Sequence, residues 1–233
     1  MIFEPQLLKG RLIKRYKRFL ADVKMEDGRE LTVHCPNPGA MAGLKDAGNP
    51  VWVSDSQNPK RKLQYTLELM EVGGTMVGIN TNRANKLALE AIHFGMVEDV
   101  DKIDEILSEQ KYGENSRIDF LINRTNKPSV YLEVKNVNFV RQQGIHEFPD
   151  GVTDRGAKHL RELMKVVDQG FEAKMLYVIQ RNDGDQFKIA DDIDKTYGEL
   201  FKVSMAHGIK AQAICCDITP EMMTPIRSVE ILS

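Results

Sequence analysis

Over its first third the chain alternates apolar and polar residues in short runs, each closed by a turn signal. FLADVKM (19–25) and RELTVHC (29–35) flank Glu26-Asp27-Gly28, whose Asp-Gly pair favours a tight hairpin. PVWVS (50–54), KLQYTLELM (62–70) and TMVGI (75–79) follow, the last two joined across Gly73-Gly74. About five antiparallel strands without a helix predict a small closed barrel or sandwich over residues 1–82, an architecture common among nucleic-acid modules.

Near Asn82 the period changes. NRANKLALEAIHFGM has helical spacing, with Leu87 and Ala91 on its apolar side, and the acidic stretch 98–109 reads as a further helix. Strands return at SRIDFLI (116–122) and VYLEVKNVNFV (130–140), around the polar turn NRTNKPS. A loop with Gly144, Pro149 and Gly151 leads to TDRGAKHLRELMKVVDQG. Its Ala157, Leu160, Leu163, Met164 and Val167 form an apolar stripe, with Thr153 as N-cap and Gly170 past the end. AKMLYVIQR (173–181) is continuously apolar, as in a strand buried on both faces. A helix near 192–207 and strands at 209–217 and the C-terminal VEIL complete an α/β domain over 83–233, its parallel strands joined by a crossover helix.

Composition narrows the class without choosing a function. The N-terminus lacks a signal peptide's apolar core, and no window approaches the ~18 apolar residues of a membrane span. Cys35, Cys215 and Cys216 are odd in number and lack CxxC spacing, which argues against a disulfide framework and for a reducing, cytoplasmic setting. Net charge is −2, but it is unevenly spread: residues 1–83 carry 13 basic and 9 acidic side chains, the remainder 19 and 25. KGRLIKRYKRF sets Arg11, Lys14, Arg15, Lys17 and Arg18 around Tyr16 and Phe19, a pattern that suits a phosphate backbone with stacked bases and equally a solvated basic strand face.

The chemistry concentrates in VYLEVKNVNFV. Strict alternation puts Tyr131, Glu133, Lys135, Val137 and Phe139 on one face, and Leu132, Val134 and Asn136 on the other. Two opposite charges thus interrupt a mostly apolar strand. If the hairpin turns about Asn126, positions opposite one another add to 252 and Asp119 faces Glu133. Like charges directly opposite are destabilising, and a divalent cation resolves that conflict, two carboxylates with water and phosphate being a Mg²⁺ type of ligand set. Lys135 could then orient an attacking water and neutralise charge on phosphate. The alternative is a Glu133–Lys135 ion pair on a wet face.

D-x₁₃-E-x-K on adjacent strands, followed by a helix and a strand, resembles the PD-(D/E)xK nuclease core. RYKRFLADV (15–23), HCPNPGAM (34–41), KYGENSRIDFLI (111–122), YLEVKNV (131–137), FPDGVTDRGAKHLREL (148–163) and VIQRND (178–183) resemble, in order, stretches of the sugar fermentation stimulation protein A family. That resemblance implies an OB-fold-like barrel followed by a PD-(D/E)xK nuclease-like α/β domain. It also implies DNA as partner and a link to regulation of sugar utilisation. Carried over by position, Asp119 and Glu133 match the metal-binding acids, for Mg²⁺ or Mn²⁺, and Lys135 the motif lysine. Glu90 stands where such cores often add an acid, and Gln180 resembles an auxiliary glutamine; both are also explained as polar residues of a wet cleft. Arg155, Lys158, His159, Glu162 and Lys165 share a polar helix side that a solvated face explains, with Arg155 and Lys158 able to reach phosphate. Pro38 replaces the threonine of the family's HCPNTG loop. A metal-dependent nuclease, a DNA-binding regulator on a silent nuclease-like scaffold, and a saccharide- or protein-binding barrel all remain open.

Overall fold

A computed structural model describes residues 1–232. The alternating segments of the first third form β1 (Leu8–Tyr16), β2 (Leu20–Met25), β3 (Glu30–His34), β4 (Pro50–Asp55), β5 (Tyr65–Val72) and β6 (Thr75–Gly78), in the sheet order β3-β2-β1-β4-β5-β6. Strand β3 also meets β5 in parallel at His34 and Thr66, which closes β1–β5 into a five-stranded OB barrel. Its inward positions are the apolar ones of the alternation, among them Leu12, Val23, Val33, Val51 and Leu67. Gly73 and Gly74, at φ 59° and 82°, make the β5–β6 turn, which needs positive φ at both positions.

The α/β domain contains α1 (Arg83–His93), β7 (Ile103–Tyr112), β8 (Ser116–Arg124), β9 (Lys127–Val137), β10 (Phe139–Gln142), β11 (Gly144–Phe148), α2 (Asp154–Asp168), β12 (Glu172–Ile179), β13 (Gly184–Ile189), α3 (Lys195–Ala206), β14 (Lys210–Ile218) and β15 (Met223–Ile231). One nine-stranded sheet runs β10-β11-β13-β15-β14-β12-β9-β8-β7. Helix α2 is the crossover between parallel β9 and β12, and its side-chain cap is Thr153 Oγ1, accepting the Gly156 N–H at 3.0 Å. The continuous apolar run of β12 is buried from Ala173 to Ile179 because helices cover both sheet faces.

Three expectations are corrected. The acidic stretch taken as a helix is largely β7, an edge strand. Its charged residues face solvent, and charge protects an unpaired edge. The loop around Gly144 contains the β10–β11 hairpin, and β13, short and polar, was not anticipated. VYLEVKNVNFV also divides at buried Asn138, whose Nδ2 donates to Gly78 O at 3.1 Å.

Barrel and sheet share one apolar cluster, in which Trp52 and Leu69 meet Leu87 and Ala88 of α1 and Leu132 and Leu176 of the sheet. Beside it the buried Glu68 accepts from Arg83 at 2.7 and 2.9 Å, from Asn80 at 2.9 Å and from Ser54 at 2.7 Å. All three cysteines are buried free thiols. No helix among the described residues is long and apolar enough to cross a membrane.

Candidate active site

The β8–β9 ladder pairs Phe120 with Leu132, Leu121 with Tyr131 and Ile122 with Val130, positions that each add to 252. It stops one step short of Asp119 and Glu133. There the side chain of Asp119 takes over from the backbone: Oδ2 accepts the Val134 N–H at 2.7 Å, and Oδ1 accepts Asn85 Nδ2 of α1 at 2.8 Å. Both oxygens are thereby oriented. Burial, and after it the charge of Glu133, pushes Asp119 up to about 6.

Glu133 is 2% exposed. Its Oε1 accepts from Lys135 Nζ at 2.7 Å and from Nδ1 of His159 on α2. Burial works to raise its pKa, but Lys135 and His159 outweigh burial and hold it below the ordinary glutamate value. The other oxygen, Oε2, is buried with no hydrogen-bond partner among the described residues. Behind His159, Arg155 Nε approaches Nε2 at 3.4 Å. The Tyr112 hydroxyl is likewise buried and unpartnered, and its pKa is raised by burial and then by Glu133, Glu162 and Asp119.

Among the described residues no three His, Cys, Asp or Glu side chains stand close enough to hold a metal by themselves. Asp119 and Glu133 could contribute two oxygen ligands, which fits an ion that keeps several waters.

Not every anticipated residue joins this group. Glu90 gives its carboxylate to the Met1 ammonium at 2.7 Å. On α1 the residue that reaches Asp119 is Asn85, and a residue five positions later lies about 140° round the helix. Gln180 is fully buried at the seam with the barrel. Its Nε2 donates to Asn80 O at 3.2 Å and to Asn136 Oδ1, and Asn136 leaves β9 on the opposite face from Lys135. The polar side of α2 is not simply solvated either: His159 and Glu162 are 3% and 4% exposed. Their signal was present in the sequence, because His159 stands four residues before Leu163 and Glu162 four before Val166, in phase with the buried stripe.

Residues 82–222 match the family model for the sugar fermentation stimulation protein RE domain, and residues 13–79 match that for the SfsA N-terminal OB domain. The chain belongs to the sugar fermentation stimulation protein family. A homologue of that name from Bartonella tribocorum is 50% identical over 99% of this chain and 97% of its own length. Another from Maricaulis maris is 50% identical over 94% of each. The solved structure of Pyrococcus furiosus SfsA in complex with Ca²⁺ shares the fold, with a TM-score of 0.87 and 22% identity over 100% of this chain and 98% of that one.

In this member of the SfsA family the basic residues of the barrel divide into two groups. Lys17 and Arg18 form the β1–β2 turn at φ 45° and 63° and are exposed. Arg18 lies over the half-exposed Phe19 ring at 5.6 Å, and Phe19 approaches His34 at 6.4 Å. Lys14 pairs with Asp22 at 3.5 Å, and Arg11 donates to Gly48 O at 2.9 Å. Arg15 serves the fold instead: its Nη2 donates to the carbonyls of Arg18, Asn37 and Gly39 at 2.8, 2.9 and 3.0 Å, which braces the 34–41 loop. Exposed Lys60, Arg61 and Lys62 in the β4–β5 loop were not singled out by sequence, although Arg61 bonds Thr66 Oγ1 at 3.3 Å on the strand beside His34. On α2, Arg155 is exposed at the site and Lys158 Nζ donates to Glu114 O at 2.6 Å.

Proposed function

We propose that the chain binds nucleic acid and that its α/β domain carries a divalent-metal-dependent phosphodiester-cleaving site of the PD-(D/E)xK kind. Asp119 and Glu133 are the ligands, and Lys135 stands beside them. The observation that carries this reading is Glu133 Oε2, a buried carboxylate oxygen without a partner among the described residues, opposite an acid held up at about 6 one register step beyond the ladder. A buried carboxylate oxygen is costly unless a donor or a cation meets it. An all-oxygen set of two acids suits Mg²⁺ or Mn²⁺, and a relative of the same fold was solved with Ca²⁺. When bound, such an ion would lower the pKa of an attacking water and offset charge growing on phosphate.

The chain's own groups have separate tasks. Asn85 and the Val134 N–H aim the two oxygens of Asp119. His159 and Lys135 hold Glu133 Oε1, which leaves Oε2, unpartnered among the described residues, free for an ion. Lys135 supplies an ammonium at the reacting phosphate. Lys17, Arg18 and the 60–62 loop, with Phe19 and His34 between them, offer the barrel surface for a strand. DNA is the expected polymer, and the link to sugar utilisation rests on the family.

A second reading is a DNA-binding regulator with a silent site, favoured by Lys135 and His159 both closing on the same glutamate oxygen. Purified protein with Mg²⁺ or Mn²⁺, tested on single-stranded, duplex and branched DNA and on RNA, separates the two. Cutting that is lost in Asp119→Ala and Glu133→Ala while binding persists supports the nuclease. Salt-sensitive binding with no cutting of any substrate supports the silent regulator.

A further inference from the structure

The HCPNPGAM loop has no part in the proposed chemistry, yet it is held firmly. Arg15 bonds three carbonyls around it, Asn37 Oδ1 accepts the Gly39 N–H at 2.9 Å, and Thr81 Oγ1 donates to Pro36 O at 2.9 Å. It also presses on the α/β domain. Met41 N–H approaches Asp150 Oδ2 at 3.3 Å, and a Cβ on Gly39 would collide with that carboxylate. Between loop and domain lies a cleft of about 310 Å³, the size of a small-molecule site.

The cleft lies further along the strand that carries the carboxylate site. One wall is Asn136 to Phe139, the residues that follow Lys135 along the chain. Val137, on the same strand face as Glu133 and Lys135, lies four strand residues past Glu133, about 13 Å, so a base one or two nucleotides along from a phosphate held at Asp119 and Glu133 reaches it. The opposite wall is the loop, and there Asn37 is 2% exposed with Nδ2 unpartnered among the described residues. A buried amide N–H left without an acceptor costs about 1–3 kcal/mol.

The chemistry of the walls selects the occupant. Asn37 offers a donor, and Asp150 offers an acceptor on the other side of Gly39. Val137, Phe139 and Phe148 supply apolar surface between them. Among the described residues Arg18 is the only cation lining the cleft; Asp150 puts a carboxylate there, and Glu147 is already paired with Arg141 and Lys188, so little positive charge is left for a phosphate. A flat, uncharged heterocycle with both donors and acceptors on its edge meets these demands. We infer that the cleft takes one unstacked nucleobase of the strand held at Asp119 and Glu133. Asn37 Nδ2 donates to a base acceptor, and Asp150 accepts from a base N–H. This rests on the nucleic-acid reading above and deepens it. The preferred substrate position is an unpaired one, because a paired base must first be extruded at a cost of a few kcal/mol.

The test uses the full chain with Ca²⁺ and fluorescein-labelled single-stranded DNA in which one abasic position, or one 2-aminopurine, is stepped along the sequence. Binding is read by anisotropy. The expected result is one position where an abasic site weakens binding about tenfold, the worth of one well-placed hydrogen bond, and where 2-aminopurine emission changes on binding. Asn37→Asp keeps the acceptor for Gly39 and removes the donor. It should weaken intact DNA to the abasic level and leave abasic DNA unchanged. Val152→Trp, at a rim residue that is 76% exposed, should do the same by filling the mouth, and it carries the test if Asn37→Asp does not fold. Binding and cleavage with no positional effect, and both variants matching the parent protein, would overturn the cleft and spare the nuclease reading. No binding of any nucleic acid would overturn both.

Discussion

Replacing Asp119 by Asn should stabilise the protein in the absence of metal, and the size of the effect should depend on pH. Asn keeps an acceptor for the Val134 N–H, and Asn85 can turn its amide to meet the new Nδ2. What disappears is a charge that burial and Glu133 disfavour. A carboxyl raised from 3.8 to about 6 is less stable when ionised in the folded protein by about 3 kcal/mol. Because the folded pKa lies above the unfolded one, the stability held by the protonated acid is fully present below 3.8 and lost as pH rises through 6. Urea unfolding in EDTA should therefore find Asp119→Asn more stable than the parent by about 1–3 kcal/mol at pH 8, a gap that shrinks to about half a kcal/mol at pH 4. Added Mn²⁺ should stabilise the parent and leave the variant unmoved. A variant less stable at pH 8, or a gap of equal size at both pH values, would refute the claim that this acid is held under electrostatic strain.

The neighbouring residues behave differently. Lys135→Ala removes the cation that, with His159, holds Glu133 below its ordinary value, and should cost about 2–3 kcal/mol at pH 7. Glu133 has a depressed pKa, so its stabilisation is present above 4.5 and should fade below that, which parallel urea titrations at pH 7 and pH 4 would reveal. Thr153→Ala removes the α2 cap bond to Gly156 and should cost about 1 kcal/mol by the same assay. Lys17→Ala should reduce the slope of log affinity against log salt by about one on single-stranded DNA. Arg15→Ala should lower the melting temperature, because Arg15 holds three loop carbonyls. Equal slopes for Lys17→Ala and the parent would remove the β1–β2 turn from the interface.

What the sequence made legible was local and periodic. The register near Asp119 and Glu133 was expected from a turn about Asn126; the turn closes instead on Arg124 and Lys127, and a shift between Ile122 and Arg124 brings Phe120, Leu121 and Ile122 into the expected pairing. The α2 cap and end, Thr153 and Gly170, were likewise written in residue type. The barrel was visible in its alternation, although its closure by β3 on β5 is a non-local pairing. Errors arose where exposure changes the meaning of a pattern. In β7, Ile103, Ile106 and Leu107 imitate a helical stripe among charges, and the strand reads that way because it borders the sheet with one edge open. Arg15 looked like a phosphate ligand because nothing in a linear sequence reveals three converging carbonyls. Glu90 shares a helix with Asn85, and only the docking of α1 decides which of them meets Asp119. His159 was passed over as a surface residue even though its phase placed it with Leu163 and Val166.

The central claim is that Asp119 and Glu133 together hold a divalent ion. Anomalous scattering from crystals soaked in Mn²⁺ tests it most directly. One strong peak is expected within bonding distance of an Asp119 oxygen and of Glu133 Oε2, absent in Glu133→Ala crystals treated alike. No peak there at saturating Mn²⁺, or one that persists without Glu133, would contradict it.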